Sequence, residues 1–224
     1  MEVFDFMKQK KSNKIIMKFG GTSVESPETI QKVMAIVYAS KDPVAGVVVS
    51  AFAKVTNQLL LAAELASIGD EGYKILFSKI ANRHKDAVDV LVTDKKLKQE
   101  TIQQLEIVLS ELESALKGVY LLKEVSTKIL DLIVSYGERL SAYIITQSFK
   151  NRGIKAEFVD TRLLIKTDNH FGFAHVDFEQ TDKNIADYFH KSKNSLKIIT
   201  GFIGSTENNE TTTLGRGGSD YTAS

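Results

Sequence analysis

The sequence predicts an α/β fold built on a parallel sheet. Three observations carry this. Strand-like and helix-like segments alternate along the chain. The opening reads strand, glycine turn, helix, strand, a βαβ unit whose crossover is right-handed. The runs Val44–Ser50 and Leu196–Ile203 are short and rich in β-branched residues, as in strands buried on both faces.

The first strand is expected over Lys14–Phe19, ending in Gly20-Gly21. Ser26-Pro27 reads as a helix start with proline at the first helical position, and Ile30, Val33, Met34 and Val37 follow at helical spacing. After the Val44–Ser50 strand the middle of the chain is helical. One helix runs from Val55 to Ile68 and is closed by Gly69-Asp70. A second carries Tyr73, Leu76, Phe77, Ile80, His84, Ala87, Val88 and Leu91 on one face, and a third repeats Ile102, Leu105, Leu109, Leu112 and Leu116. Together they form a helical insertion around residues 70–125. Their stripes fit core packing better than a partner surface, which makes His84 a packed histidine before a ligand. A longer helix spans about Thr127 to Asn151 and stops at Gly153. Strand character returns at Ile154–Val159. Arg162 to Asp177 reads as irregular or short strands, Glu179–His190 as helix and Leu196–Ile203 as strand. Asn208-Asn209 then turns the chain into Thr211–Leu214, the return of a hairpin.

The 224 residues, 43% of them hydrophobic, suffice for one substantial core. A net charge of +1 argues against a broad nucleic-acid-binding patch. With no cysteine, disulfides and thiolate metal sites are excluded, which fits an intracellular, cytoplasmic protein. No apolar run approaches the roughly 20 residues that span a bilayer. Residues 1–13 carry Lys8, Lys10 and Lys11 but no apolar stretch after them, so they read as a loose leader and not as a secretory signal.

Three segments carry chemistry. In Lys18-Phe19-Gly20-Gly21-Thr22-Ser23, glycines let backbone amides approach anionic oxygens while the lysine adds a point charge. The lysine precedes the glycines, unlike a P-loop, and a plain structural turn is an equal reading. In Gly215-Arg216-Gly217-Gly218-Ser219-Asp220, glycines bracket an arginine suited to bidentate carboxylate binding just where a helix could begin. Asp220 could hold a lysine or orient a metal shell. In Ser135-Tyr136-Gly137-Glu138-Arg139, a mid-helix glycine costs about 1 kcal/mol relative to alanine, which suggests close approach by something else. Glu138 could meet an ammonium group or simply pair with Arg139.

Taken together, these segments resemble the aspartokinases. Lys18–Val24 (KFGGTSV) resembles their opening motif, Ser50–Asn57 (SAFAKVTN) their second substrate loop and Ser135–Glu138 (SYGE) their S-x-G-E motif. Gly201–Gly204 (GFIG) and Thr211–Ala223 (TTTLGRGGSDYTA) resemble the last two motifs of the substrate-binding half. Thr167–Asp177 (TDNHFGFAHVD) resembles, more loosely, a stretch of the lysine-sensitive type. The resemblance runs from about Lys14 to Ser224.

It implies an amino-acid-kinase fold, a three-layer αβα sandwich around a mostly parallel sheet, and ATP-dependent phosphorylation of L-aspartate in lysine, threonine and methionine biosynthesis. Lys18 would contact the transferring phosphate, held by Asp220. Gly20, Gly21, Ser23, Gly217, Gly218 and Ser219 would face the ATP phosphates. Ser50, Ala51 and Thr56 would line the aspartate pocket, with Phe202 packed beside it. Arg216 would clamp the α-carboxylate and Glu138 would take the α-ammonium. Mg²⁺ would arrive on ATP, without a direct protein ligand. The resemblance also implies a homo-oligomer. It places residues 14–224 in the N-terminal, aspartate-binding part of a catalytic domain, truncated at its C-terminal end. Little or no kinase activity is expected of such a piece alone. The rivals are another amino-acid kinase, an inactive aspartate-binding fragment and a non-catalytic binding subunit.

Overall fold

The structure, a computed structural model, describes residues 14–192, 194–215 and 217–224. The leader and Arg216 therefore lie outside the described residues. Four strands form one parallel sheet: β1 (Ile15–Phe19), β2 (Val44–Val49), β3 (Ala156–Val159) and β4 (Leu196–Thr200), in the order β1-β2-β4-β3. β2 pairs with β4 in the register Gly46 to Lys197 through Val49 to Thr200.

Alternation along the strands sorts the sheet's two faces. Val47, Val49 and Ile198 point into the larger core, shared by α1 (Pro27–Tyr38), α2 (Val55–Ser67), α3 (Gly72–Leu91), α4 (Lys95–Leu122) and α5 (Thr127–Asn151). Val48, Val159 and Ile199 point the other way, onto Ile185, Tyr188 and Phe189 of α6 (Phe178–Lys191). These are the three layers that the resemblance implied, one of them much thicker. The helical stretch expected around residues 70–125 folds as α3 and α4, whose apolar stripes lie buried in the larger core.

Local signals set the helix boundaries. Ser26 and Thr29 cap α1 reciprocally, side chain to backbone amide, with Pro27 behind the cap. Asp94 Oδ1 accepts from the Leu97 amide at 2.8 Å to start α4. α5 is buried almost all round because the sheet, α2 and α4 all pack on it.

One expected element is corrected. Leu196–Ile203 is not a single strand. β4 stops at Thr200, and Phe202 takes the left-handed conformation with φ 70°. For a non-glycine residue that costs about 1–2 kcal/mol. It swings the chain out of the sheet into an antiparallel hairpin, β5 (Ile203–Ser205) and β6 (Thr211–Thr213). The short helix α7 (Gly218–Ala223) follows. Residues 162–177 are irregular, as expected, with isolated bridges from Lys166 to Ser205 and Thr167 to Val176. Among the described residues no helix is long and apolar enough to cross a membrane.

Candidate active site

In an open parallel sheet the loops leaving the carboxyl ends of the strands form a crevice. Here β1 runs into Gly20-Gly21, β2 into Ser50-Ala51 and β4 into Gly201-Phe202. Between these loops lies a cleft of about 460 Å³. It is lined by Lys18, Gly20, Gly21, Ser50, Ala51, Thr56, Glu138, Phe202, Gly217, Gly218, Ser219 and Asp220, all picked out from the sequence. Ser23 does not line it: it sits in the 3-10 turn Gly21–Val24, with its amide donating to Gly20 O at 2.9 Å.

Glu138 forms the floor. It projects from α5, is 3% exposed, and its Oε1 accepts from the Ala51 amide at 3.3 Å. Oε2 is buried without a partner. The pairing with Arg139 that the sequence left open does not occur; Arg139 turns instead to Glu111 and Asp160. Burial pushes the Glu138 carboxyl up to about 8, against the pull of the Ala51 amide. The carboxyl is therefore neutral at pH 7. Gly137 allows this arrangement, since a Cβ there would lie 2.8 Å from Ala51 Cβ. The close approach suggested by a mid-helix glycine is the β2 loop itself.

The rim carries charge. Lys18 Nζ on β1 lies 2.7 Å from Asp220 Oδ1 on α7, so these two elements meet at one ion pair. Asp220 thus holds a lysine, one of its two sequence readings. Gly217, with φ 80°, turns the chain into α7, and nothing stands within 4 Å of where its Cβ would be. Ser219 Oγ is 3.0 Å from Ser50 Oγ, and Ser141 on α5 donates to Ser50 O at 2.8 Å. A Cβ on Gly201 would come 2.5 Å from Ser219 Oγ, so the α7 serine docks only over a glycine.

Phe52, Ala53, Lys54, Asn57 and Gly215, which lie in the quoted motifs without an individual role, also line the cleft. Two further participants, Arg83 and Ser141, are not singled out by the sequence. Arg83 on α3 donates from Nη1 to Ala53 O and from Nη2 to Glu25 O, both at 2.6 Å. It thereby ties the loop after β2 to the turn after β1. Its neighbour His84 is fully buried, stacked on Phe52 with centroids 4.7 Å apart and planes 5° apart. The His84 Nδ1 pairs with Ile80 O at 2.7 Å, while Nε2 has no partner. Burial lowers its pKa to about 4. It is a packed, neutral histidine. Ser141 and Arg83 left no local signal because their partners lie 91, 30 and 58 residues away. Gly201 was visible only as part of GFIG.

Known proteins resemble this chain in sequence and fold. The profile of the amino acid kinase family matches residues 13–224. The chain is 33% identical over 234 residues to aspartokinase 3, chloroplastic, of Arabidopsis thaliana, covering 99% of this chain and 40% of that protein. It is 30% identical over 209 residues to a bifunctional aspartokinase/homoserine dehydrogenase of Zea mays, covering 93% and 23%. A crystal structure of E. coli aspartokinase III in complex with aspartate and ADP superposes with a TM-score of 0.83 at 31% identity, covering 94% of this chain and 45% of that one. The chain thus spans less than half the length of these relatives. With the parallel sheet, the crevice beyond its strand ends and a family match over nearly every described residue, the chain belongs to the amino acid kinase family.

Proposed function

We propose that this chain supplies the aspartate-recognition part of a kinase that transfers the γ-phosphoryl group of ATP to the β-carboxylate of L-aspartate. One observation carries the reading: a buried acid, Glu138, presents an oxygen with no partner to a cleft whose rim holds a lysine and glycine turns. A buried unpaired acceptor is unfavourable unless a ligand completes it. An α-ammonium group does so and restores the charge that burial suppresses.

The other assignments combine this geometry with the resemblance. Glu138 reads the ammonium; the resemblance alone gives Arg216 the α-carboxylate, which leaves the β-carboxylate toward Lys18. Thr56, Ala51 and Phe202 enclose the side chain. A carboxylate is already a nucleophile at neutral pH, so no general base is needed. ATP, accompanied by Mg²⁺, supplies the phosphoryl group. Lys18, aligned by Asp220, neutralises charge developing on the transferred group, and the amides around Gly20, Gly21 and Gly217–Ser219 donate to phosphate oxygens. The product is an acyl phosphate. The open glycines fit phosphate approach: beyond Lys18 Nζ at 4.0 Å, nothing would meet a Cβ on Gly20, and nothing at all one on Gly217. The relatives are chloroplastic or bacterial; cytoplasmic placement and homo-oligomerisation belong to this proposal as well.

The test is calorimetric titration of L-aspartate into the wild-type chain and into Glu138→Gln. Glutamine keeps an acceptor for the Ala51 amide and removes the charge. Affinity should fall by roughly 10- to 150-fold, as when a charge-assisted hydrogen bond is lost. Wild-type binding should also release a proton at pH 7 and tighten as pH rises toward 8. Equal affinities for the two proteins would overturn the reading.

A further inference from the structure

Away from the cleft, three side chains with metal-binding atoms converge on one turn. His170 Nδ1 and His175 Nδ1 each lie 2.9 Å from Asp168 Oδ2, and the three donor atoms all fall within 4.8 Å of one another. None of the three residues lines the cleft.

The backbone holds this convergence in place. Asp168 Oδ1 accepts from the His170 amide at 3.1 Å and the His175 amide at 3.0 Å, and the Asp168 amide donates to His175 O at 3.0 Å. The tip of the turn is pinned where the Gly172 amide donates to the buried Asp131 at 2.8 Å. Oδ1 and the backbone already close the turn, so folding does not require the rings on Oδ2. Yet two imidazoles, 72% and 68% exposed, sit on that one oxygen where water competes for every hydrogen bond. The donor set is two imidazoles and a carboxylate gathered on one turn.

The two 2.9 Å spacings about Asp168 Oδ2 fit a metal ion. With metal–donor bonds of about 2.0–2.1 Å, neighbouring positions of a six-coordinate ion stand about 2.9 Å apart. We propose that Asp168, His170 and His175 form a surface site for a divalent transition ion of the Zn²⁺, Ni²⁺ or Co²⁺ class. Water completes the coordination, and each ring proton moves from Nδ1 to Nε2. Imidazole ligands select these ions over Mg²⁺ and Ca²⁺, which prefer oxygen. The ion clips the two ends of the 168–175 turn together. The site does not depend on the aspartate reading.

The test uses the metal-free chain with any polyhistidine tag removed. Titration with Co²⁺ should give one saturable visible absorption band per chain, displaced by Zn²⁺ and not by millimolar Mg²⁺. Zn²⁺ should raise the melting temperature. His170→Ala and His175→Ala should each weaken Co²⁺ binding by about tenfold or more, and the double variant should abolish it, along with the Zn²⁺ effect on melting. The chain has four histidines; His84 is buried, and His190→Ala should leave the titration unchanged. Absence of saturable binding in the wild-type chain, binding retained by the double variant, or equal competition by Mg²⁺ would overturn the proposal.

Discussion

At Gly137 a missing side chain matters more than any that is present. In an exposed helix alanine would gain about 1 kcal/mol over glycine. Here the added methyl would come 2.8 Å from Ala51 Cβ and 3.4 Å from Val55 and Leu59 methyls. Overpacking of that kind costs typically 1–3 kcal/mol. Gly137→Ala should therefore lower the melting temperature and displace the Ala51 amide from Glu138. Aspartate affinity should fall by about tenfold or more, the loss of one charge-assisted hydrogen bond. A higher melting temperature with unchanged affinity, measured by scanning and titration calorimetry, would show that the loop yields freely. The sequence did reveal the need for close approach, because a glycine inside an apolar helix is costly. It could not reveal what approaches, because Ala51 lies 86 positions earlier. Lys18 and Glu138 were legible through their glycines, whereas Ser141 and Arg83 carry no marker that distinguishes them from other polar residues on a helix.

Among the elements, α3 connects the insertion to the cleft. Its inner stripe packs the core, and its Arg83 reaches carbonyls at Ala53 and Glu25. Arg83→Ala releases both loops at once. Amides of residues 21–25 and 51–55 should then exchange hydrogen faster, while the slowest core amides stay close to wild type. Lysine, a single point donor, should recover only part of the protection. Unchanged exchange in the alanine variant would mean the loops hold without this tie. Helices were the easiest elements to read, because the Ser26-Pro27 start and stripes such as Leu105–Leu109–Leu112–Leu116 are local features. The end of β4 was not. Ile198, Ile199 and Ile203 continue a strand-like pattern, and only the left-handed turn at Phe202, fixed by contacts with α7 and the hairpin, ends it. The Phe202 amide donates to Thr222 Oγ1 and its carbonyl accepts from the Leu214 amide.

For the whole molecule, two buried groups set opposing pH dependences. His84 is neutral in the fold with a pKa of about 4, while the unfolded chain takes up a proton below its ordinary 6.5. Its contribution is complete above 6.5 and is lost as pH falls through about 4. Glu138 is neutral in the fold up to about 8, while the unfolded chain ionises above 4.5. Its contribution is complete below 4.5 and is lost as pH rises through about 8. Between pH 4.5 and 6.5 the two slopes, each at most about 1.4 kcal/mol per pH unit, cancel. Of the two, Glu138 alone acts from 6.5 to 8. Urea unfolding should show a plateau followed by declining stability toward pH 8, and Glu138→Gln should remove the decline. A decline of the same slope in that variant would assign it to other groups.

The strand order β1-β2-β4-β3 bears on how the chain is made. The strand that fills the gap between β2 and β3 is the last of the four to leave the ribosome. Leu196 follows Val159 by 37 residues (196 − 159), which at cellular synthesis rates of roughly 5–20 residues per second takes about 2–7 s. Throughout that interval β2 and β3 each offer an unpaired apolar edge to any neighbouring nascent chain. Helices α1 to α5, which precede β3, can already pack on one another, and the waiting strands are what a chaperone would have to shield.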